Sequence, residues 1–251
     1  MKKPYLKKYG GISKFVIWIV DGAFVRKNID IDFNNFGQHY RFKFIPENEF
    51  WIDKEHGGKE EHFFVQHLLV ENKMMEAGAS YFDAITKADL AERAERMKNK
   101  FIIMDFKTKK HKAEMIKKVH KKILHTYSNK NLRVWIVDGK LVRSFFFIDF
   151  TEGGHDLVYP FIPSGEIWLD DDMSQKERKF ALIHEIHERN LMAKGSGYGS
   201  GFMTKEWNKE NNHTSAHKSA SEIEYFCRHH PEKTDKKIKN ELKIATSLSL
   251  A

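Results

Sequence analysis

The chain repeats itself. Laid on itself at an offset of 117 residues, Trp18, Asp21, Gly22, Val25 and Arg26 fall on Trp135, Asp138, Gly139, Val142 and Arg143. The register runs without a gap through Phe44-Ile45-Pro46 on Phe161-Ile162-Pro163, His67 on His184, Glu71 on Glu188 and Gly78 on Gly195 to Tyr81 on Tyr198. Of the 67 positions from Phe15 to Tyr81, 25 are identical to their counterparts. Beyond Tyr198 the second copy carries an insertion, after which Ala88, Glu92 and Arg96 match Ala220, Glu224 and Arg228 at an offset of 132. A period this long makes each copy a structural unit in its own right, so the 251 residues divide into two similar halves.

The pattern within a copy predicts its elements. A β-branched and aromatic run ends at Asp21-Gly22 (Asp138-Gly139), and a Gly turn with a second run to Phe33 (Phe150) reads as a hairpin. A third strand ends in EFWID or EIWLD, and the period then changes from 2 to 3.6. Phe180, Ile183, His184, His187, Glu188 and Leu191 follow helical spacing, with Ser174 as N-cap and Gly195 just past the end. A second helix follows in each copy. The expected fold class is α+β, a tandem duplication of a β-β-β-α-α unit joined by a basic helical connector. The expected organisation is an N-terminal copy over 1–98, a connector over 99–130, a C-terminal copy over 131–232 and a polar tail over 233–251.

Charge sharpens this division. The chain carries a formal +8, but Lys98 to Lys130 alone holds eleven lysines against Asp105 and Glu114. The excess is a property of the connector, whose Met115, Ile116, Val119 and Ile123 form an apolar stripe on a lysine helix. That face predicts a solvated connector or nonspecific phosphate contact with nucleic acid, since no arginine is present there to read bases. With 41% hydrophobic residues the chain can build cores, and its longest early apolar run, Phe15 to Val20, is too short for a membrane span. A single cysteine, Cys227, excludes an internal disulfide and a four-cysteine zinc site and points to a reducing, cytoplasmic setting.

The segment HEIHERNLM, starting at His184, is the main candidate for chemistry. On a helix His184, His187 and Glu188 share one stripe, with Glu185 at its edge. Two imidazoles and a carboxylate suit zinc or another first-row divalent metal, and an adjacent glutamate suits the base for a metal-bound water. The next helix adds His217 and Glu224.

These residues resemble the zincin metallopeptidases, in which a sheet precedes a helix bearing H-E-x-x-H and a later helix supplies the third ligand. The fifth position here is Glu188 rather than histidine, and a histidine stands at the fourth, His187. The resemblance spans roughly residues 134–228. It implies a zinc-dependent hydrolase acting on a peptide or protein, with His184 and Glu188 as metal ligands, His217 or Glu224 as the third, and Glu185 as general base. His187 or His155 would then stabilise the oxyanion. Copy one keeps His67, Glu71 and Glu92 but has Leu68, Val70 and Ile85 where copy two has Glu185, His187 and His217, so the site is expected in copy two alone. The glycine-rich insertion with Phe202 and Trp207 reads as a lid over the site or as a tolerated surface loop, and its place between the two ligand helices favours the lid. A competing expectation is a non-enzymatic, internally pseudo-dimeric binding module that meets an acidic partner through the connector.

Overall fold

The residues that follow each Asp-Gly pair form a helix, where the sequence predicts the second strand of a hairpin. In this computed structural model, which describes residues 4–55, 58, 60–98, 109–199 and 215–248, Gly22–Asn28 is helix α1. The Asp21 carboxylate caps it by accepting a hydrogen bond from the Phe24 N–H at 3.3 Å. Gly22 is required there because a Cβ would stand 1.9 Å from the Asp53 carboxylate. Arg26, one turn on and buried, reaches the same carboxylate at 2.7 Å. Asp-Gly begins hairpins and helices alike, and the neighbouring Asp53 decides between them. The second copy repeats the arrangement: Gly139–Phe145 is a helix (α5 below), and a Cβ on Gly139 would meet Asp170 at 2.0 Å.

The chain divides into two compact units. The first comprises residues 1–107 and 140–149. Its sheet has the order β1-β2-β4-β3, built from β1 (Tyr5–Ile12), β2 (Phe15–Val20), β3 (Phe36–Gln38) and β4 (Glu49–Asp53). β2 and β4 run parallel with Trp18 opposite Trp51, while β1 and β3 pair antiparallel at either side. Helices α2 (Glu61–Glu76) and α3 (Tyr81–Lys98) follow. Phe64, Val65 and Leu68 on α2 close over Phe15, Ile17, Phe50 and Ile52 of the sheet, and each fully buried side chain of this kind contributes roughly 1.5–3 kcal/mol.

The second unit comprises residues 108–139 and 150–251. Helix α4 (Lys109–Val119) leads into β5 (His120–Ile123), which pairs antiparallel with β6 (Arg133–Val137); β7 (Gly153–His155) and β8 (Glu166–Asp170) complete a sheet of order β5-β6-β8-β7. Here too the central pair is parallel, with Trp135 opposite Trp168. Helix α6 (Gln175–Ala193) is capped by Ser174 as expected, and α7 (Ala216–His229) and α8 (Thr234–Ser247) follow. Gly195, at φ +96°, and its counterpart Gly78, at φ +89°, take the left-handed conformation that ends a helix.

Both sheets are mixed and both units combine them with helices, so the α+β class holds. The repeating order, however, is β-β-α-β-β-α-α, because the run after the Asp-Gly is helical and a strand precedes each first predicted one. Three expected boundaries move. Residues 120–123 of the connector are an edge strand of the second unit, and Met115 and Val119 of α4 are buried. Within the tail expected over 233–251, Thr234–Ser247 forms α8, whose Ile238 and Ala245 enter the second core beside Phe180, Ile183 and Cys227. Residues 140–149, expected in the C-terminal copy, belong to the first unit, where Arg143 makes a two-pronged pair with Glu60 at 3.1 and 2.6 Å. No described helix is long and apolar enough to cross a membrane.

Candidate metal centre

The second unit brings three helical side chains to one point. His184 and Glu188 lie one turn apart on α6, and His217 projects from the first turn of α7. Glu188 Oε2 stands 2.8 Å from His217 Nδ1 and 3.6 Å from His184 Nε2, and the two nitrogens are 3.3 Å apart. In a tetrahedral zinc site with ligand bonds of about 2.0–2.1 Å, neighbouring donor atoms are separated by roughly 3.3–3.5 Å. Two of the three separations fall at or close to that range, and the third, 2.8 Å between Glu188 Oε2 and His217 Nδ1, is a hydrogen-bond distance.

The surrounding bonds fix how these side chains are presented. His184 Nδ1 lies 2.8 Å from Glu224 Oε2, and a carboxylate only accepts, so Nδ1 carries a proton while Nε2 faces Glu188 and His217. Glu224 is held in turn by Arg228, which also reaches Glu177 at 2.7 Å. On the other side, His155 Nδ1 accepts the Leu157 N–H, which leaves Nε2 to donate to Glu188 Oε1 at 3.0 Å.

The electrostatics follow from this crowding. Burial pushes the Glu188 carboxyl up, but hydrogen bonds from His155, His184 and His217 outweigh it and hold the group well below the usual range. Burial likewise opposes the ionisation of Glu224, which Arg228 and His184 nevertheless pull down to about 2. Glu185 goes the other way: burial, then the neighbouring Glu188 charge, raise it to about 8 despite His184 nearby. Glu185 offers an oxygen within 4.8 Å of donor atoms of both His155 and Glu188. Burial opposes a charge on His184, but hydrogen bonds to Glu188 and Glu224 outweigh it and raise the ring well above the usual histidine range, so its positive charge joins that of Arg228 among the carboxylates of Glu177, Glu188 and Glu224.

The predicted residues thus sort by position. His184, Glu188 and His217 converge. Glu224, expected as an alternative third ligand, instead orients His184 from behind. His155, expected at an oxyanion, is fully buried and spent on holding Glu188. His187 is turned away, its Nδ1 3.0 Å from Glu241 on α8 and its Nε2 3.0 Å from Ser219 Oγ, because the i+3 position lies on the flank of α6 that α8 covers. The expected lid, with Phe202 and Trp207, lies outside the described residues. Sequence reasoning passed over Glu177 and Arg228, although Glu60 and Arg96 hold the matching places in copy one.

Comparison of the chain with protein families, with curated proteins and with solved structures finds no match.

Proposed function

We propose that the second unit is a metal-dependent hydrolase, a zinc peptidase in its general plan, with His184, Glu188 and His217 as ligands. The observation that carries this reading is the mutual spacing of 2.8, 3.3 and 3.6 Å among their three donor atoms. The order of elements supports it too, since a sheet, a helix bearing His184-Glu185-x-x-Glu188 and a later helix bearing the third ligand resemble the zincin plan. Bound zinc would polarise the scissile carbonyl and lower the pKa of a bound water.

The chain's own residues then divide the remaining work. Glu185, adjacent to the ligand set and raised to about 8, is suited to take a proton from the attacking water and return it to the leaving amine. Glu224 and Arg228 keep the His184 ring in its ligating tautomer, and His155 holds one oxygen of Glu188 so that the other faces the metal position. Copy one has Leu68 in place of the base and Ile85 in place of His217, which supports assigning this chemistry to the second unit.

Metal content tests the assignment. Purified protein is expected to hold one zinc per chain and to lose it on His184→Ala. Wild-type protein that is metal-free and gains no thermal stability from added zinc would overturn the proposal and favour a non-enzymatic binding module. Glu185→Gln is expected to retain the zinc and lower peptide hydrolysis by about 10²–10⁴-fold, the usual share of a general base.

A further inference from the structure

The first unit has a partly buried polar cluster of its own, built from different chemistry. His67 on α2 and Asp89 on α3 meet Asp149, which the 140–149 segment brings into this unit, and each offers a donor atom within 4.8 Å of the other two. His67 Nδ1 lies 3.6 Å from Asp89 Oδ1 and 3.1 Å from Glu92 Oε2, while its Nε2 faces Glu71 at 3.3 Å. Four carboxylates therefore surround one imidazole. Glu92 is neutralised by Arg96, which it shares with Glu60, and Glu71 is held by Gln38 at 2.6 Å.

Asp89 and Asp149 face the His67 ring and each other. Their carboxyl groups adjoin, and Asp89 Oδ1 is closed off from solvent with no hydrogen-bond donor among the described residues. Two neighbouring carboxylates in a shielded site repel one another unless a proton or a cation lies between them. An oxygen atom shut away from water and lacking a donor is short of a partner, and the adjacent imidazole and second carboxylate complete a set of the kind that manganese or magnesium accepts.

We infer that the first unit carries a second divalent-cation site, formed by His67, Asp89 and Asp149 and richer in oxygen than the proposed zinc centre. Its place within the repeat is displaced. Asp89 matches Ser221 and stands one turn beyond Ile85, the counterpart of His217, so the ligand from the third helix comes from the next turn and is a carboxylate. Copy one then has a ligand set of its own in place of a decayed copy of the other. This inference does not rest on the hydrolase reading.

Manganese alone is the probe, with the full-length chain carrying His184→Ala and His217→Ala to silence the second unit. Titration followed by loss of the free Mn2+ electron paramagnetic resonance signal is expected to give one bound ion per chain. Adding Asp89→Asn or Asp149→Asn is expected to weaken binding at least about tenfold. Each Asn substitution also removes the like-charge contact, so melting temperature without metal is expected to match or exceed that of the parent, which separates lost binding from lost folding. No manganese binding in the silenced chain, or binding that both Asn variants leave unchanged, would overturn the inference. Zinc content of the wild type reads the other centre separately.

Discussion

At the scale of single residues, both units build a polar relay through equivalent positions. In the first it runs Glu60, Arg96, Glu92, His67, Glu71, Gln38; in the second, Glu177, Arg228, Glu224, His184, Glu188, His155. Five of the six positions keep their residue type, and the sixth exchanges one side chain that donates to the glutamate for another. Because Glu224 holds His184 Nδ1, on the far side of the ring from the proposed metal position, Glu224→Gln is expected to weaken zinc binding about 10–100-fold while leaving the fold intact, as measured by competition with a chelating dye. His187→Ala is expected to leave zinc stoichiometry unchanged, since that ring bonds Glu241 and Ser219. A chain that lost zinc with this variant would contradict the division of roles. His184 and Glu188 were legible from sequence because i and i+4 share a helix face. The separation of His217 from Glu224 was not, since both sit on one face of α7 and only its packing against α6 brings His217 to Glu188 and Glu224 to His184 Nδ1.

At the scale of elements, capping and buried ion pairs hold the helices that carry these groups. Ser174 Oγ accepts the Glu177 N–H at 3.3 Å and starts α6, and Ser174→Ala is expected to cost about 1 kcal/mol in denaturant unfolding. Glu60 begins the relay of the first unit with both guanidiniums of Arg96 and Arg143 upon it. Burial pushes its carboxyl up, but the two arginines prevail and hold it below the usual carboxylate range. A depressed folded-state pKa means that this stabilisation is complete above the ordinary glutamate pKa and is lost as pH falls through the lower folded value. Acid unfolding is therefore expected to be shallower in Glu60→Gln, which at neutral pH is destabilised by about 3–5 kcal/mol because two buried arginines lose their anion. Equal acid profiles for the two proteins would refute this role. The helix after Asp21 escaped the sequence reading for a related reason: the carboxylate that excludes a Cβ at Gly22 comes from Asp53, 31 residues away.

At the scale of the whole molecule, compact units and sequence copies do not coincide. The chain contributes 1–107 to the first unit and 108–139 to the second, then gives 140–149 to the first before completing the second. A chain ended at Lys107 keeps all of copy one yet lacks Arg143 and Asp149, and it is expected to melt well below the full-length protein by circular dichroism. Similarly, α8 adds Ile238 to the second core, and Ile238→Ala is expected to cost about 2–5 kcal/mol. The sequence by itself determined the repeat, the α+β class, the Trp-bearing strands, the capped helix α6 and the identity of His184, Glu185 and Glu188 as neighbours. These are local properties, written in period, cap and spacing. Only the tertiary structure decided that His187 turns toward α8, that Glu224 stands behind His184, and that Asp149 joins His67. Each depends on which distant surfaces meet, and side chains far apart in the chain become partners only when burial of apolar surface brings their elements together.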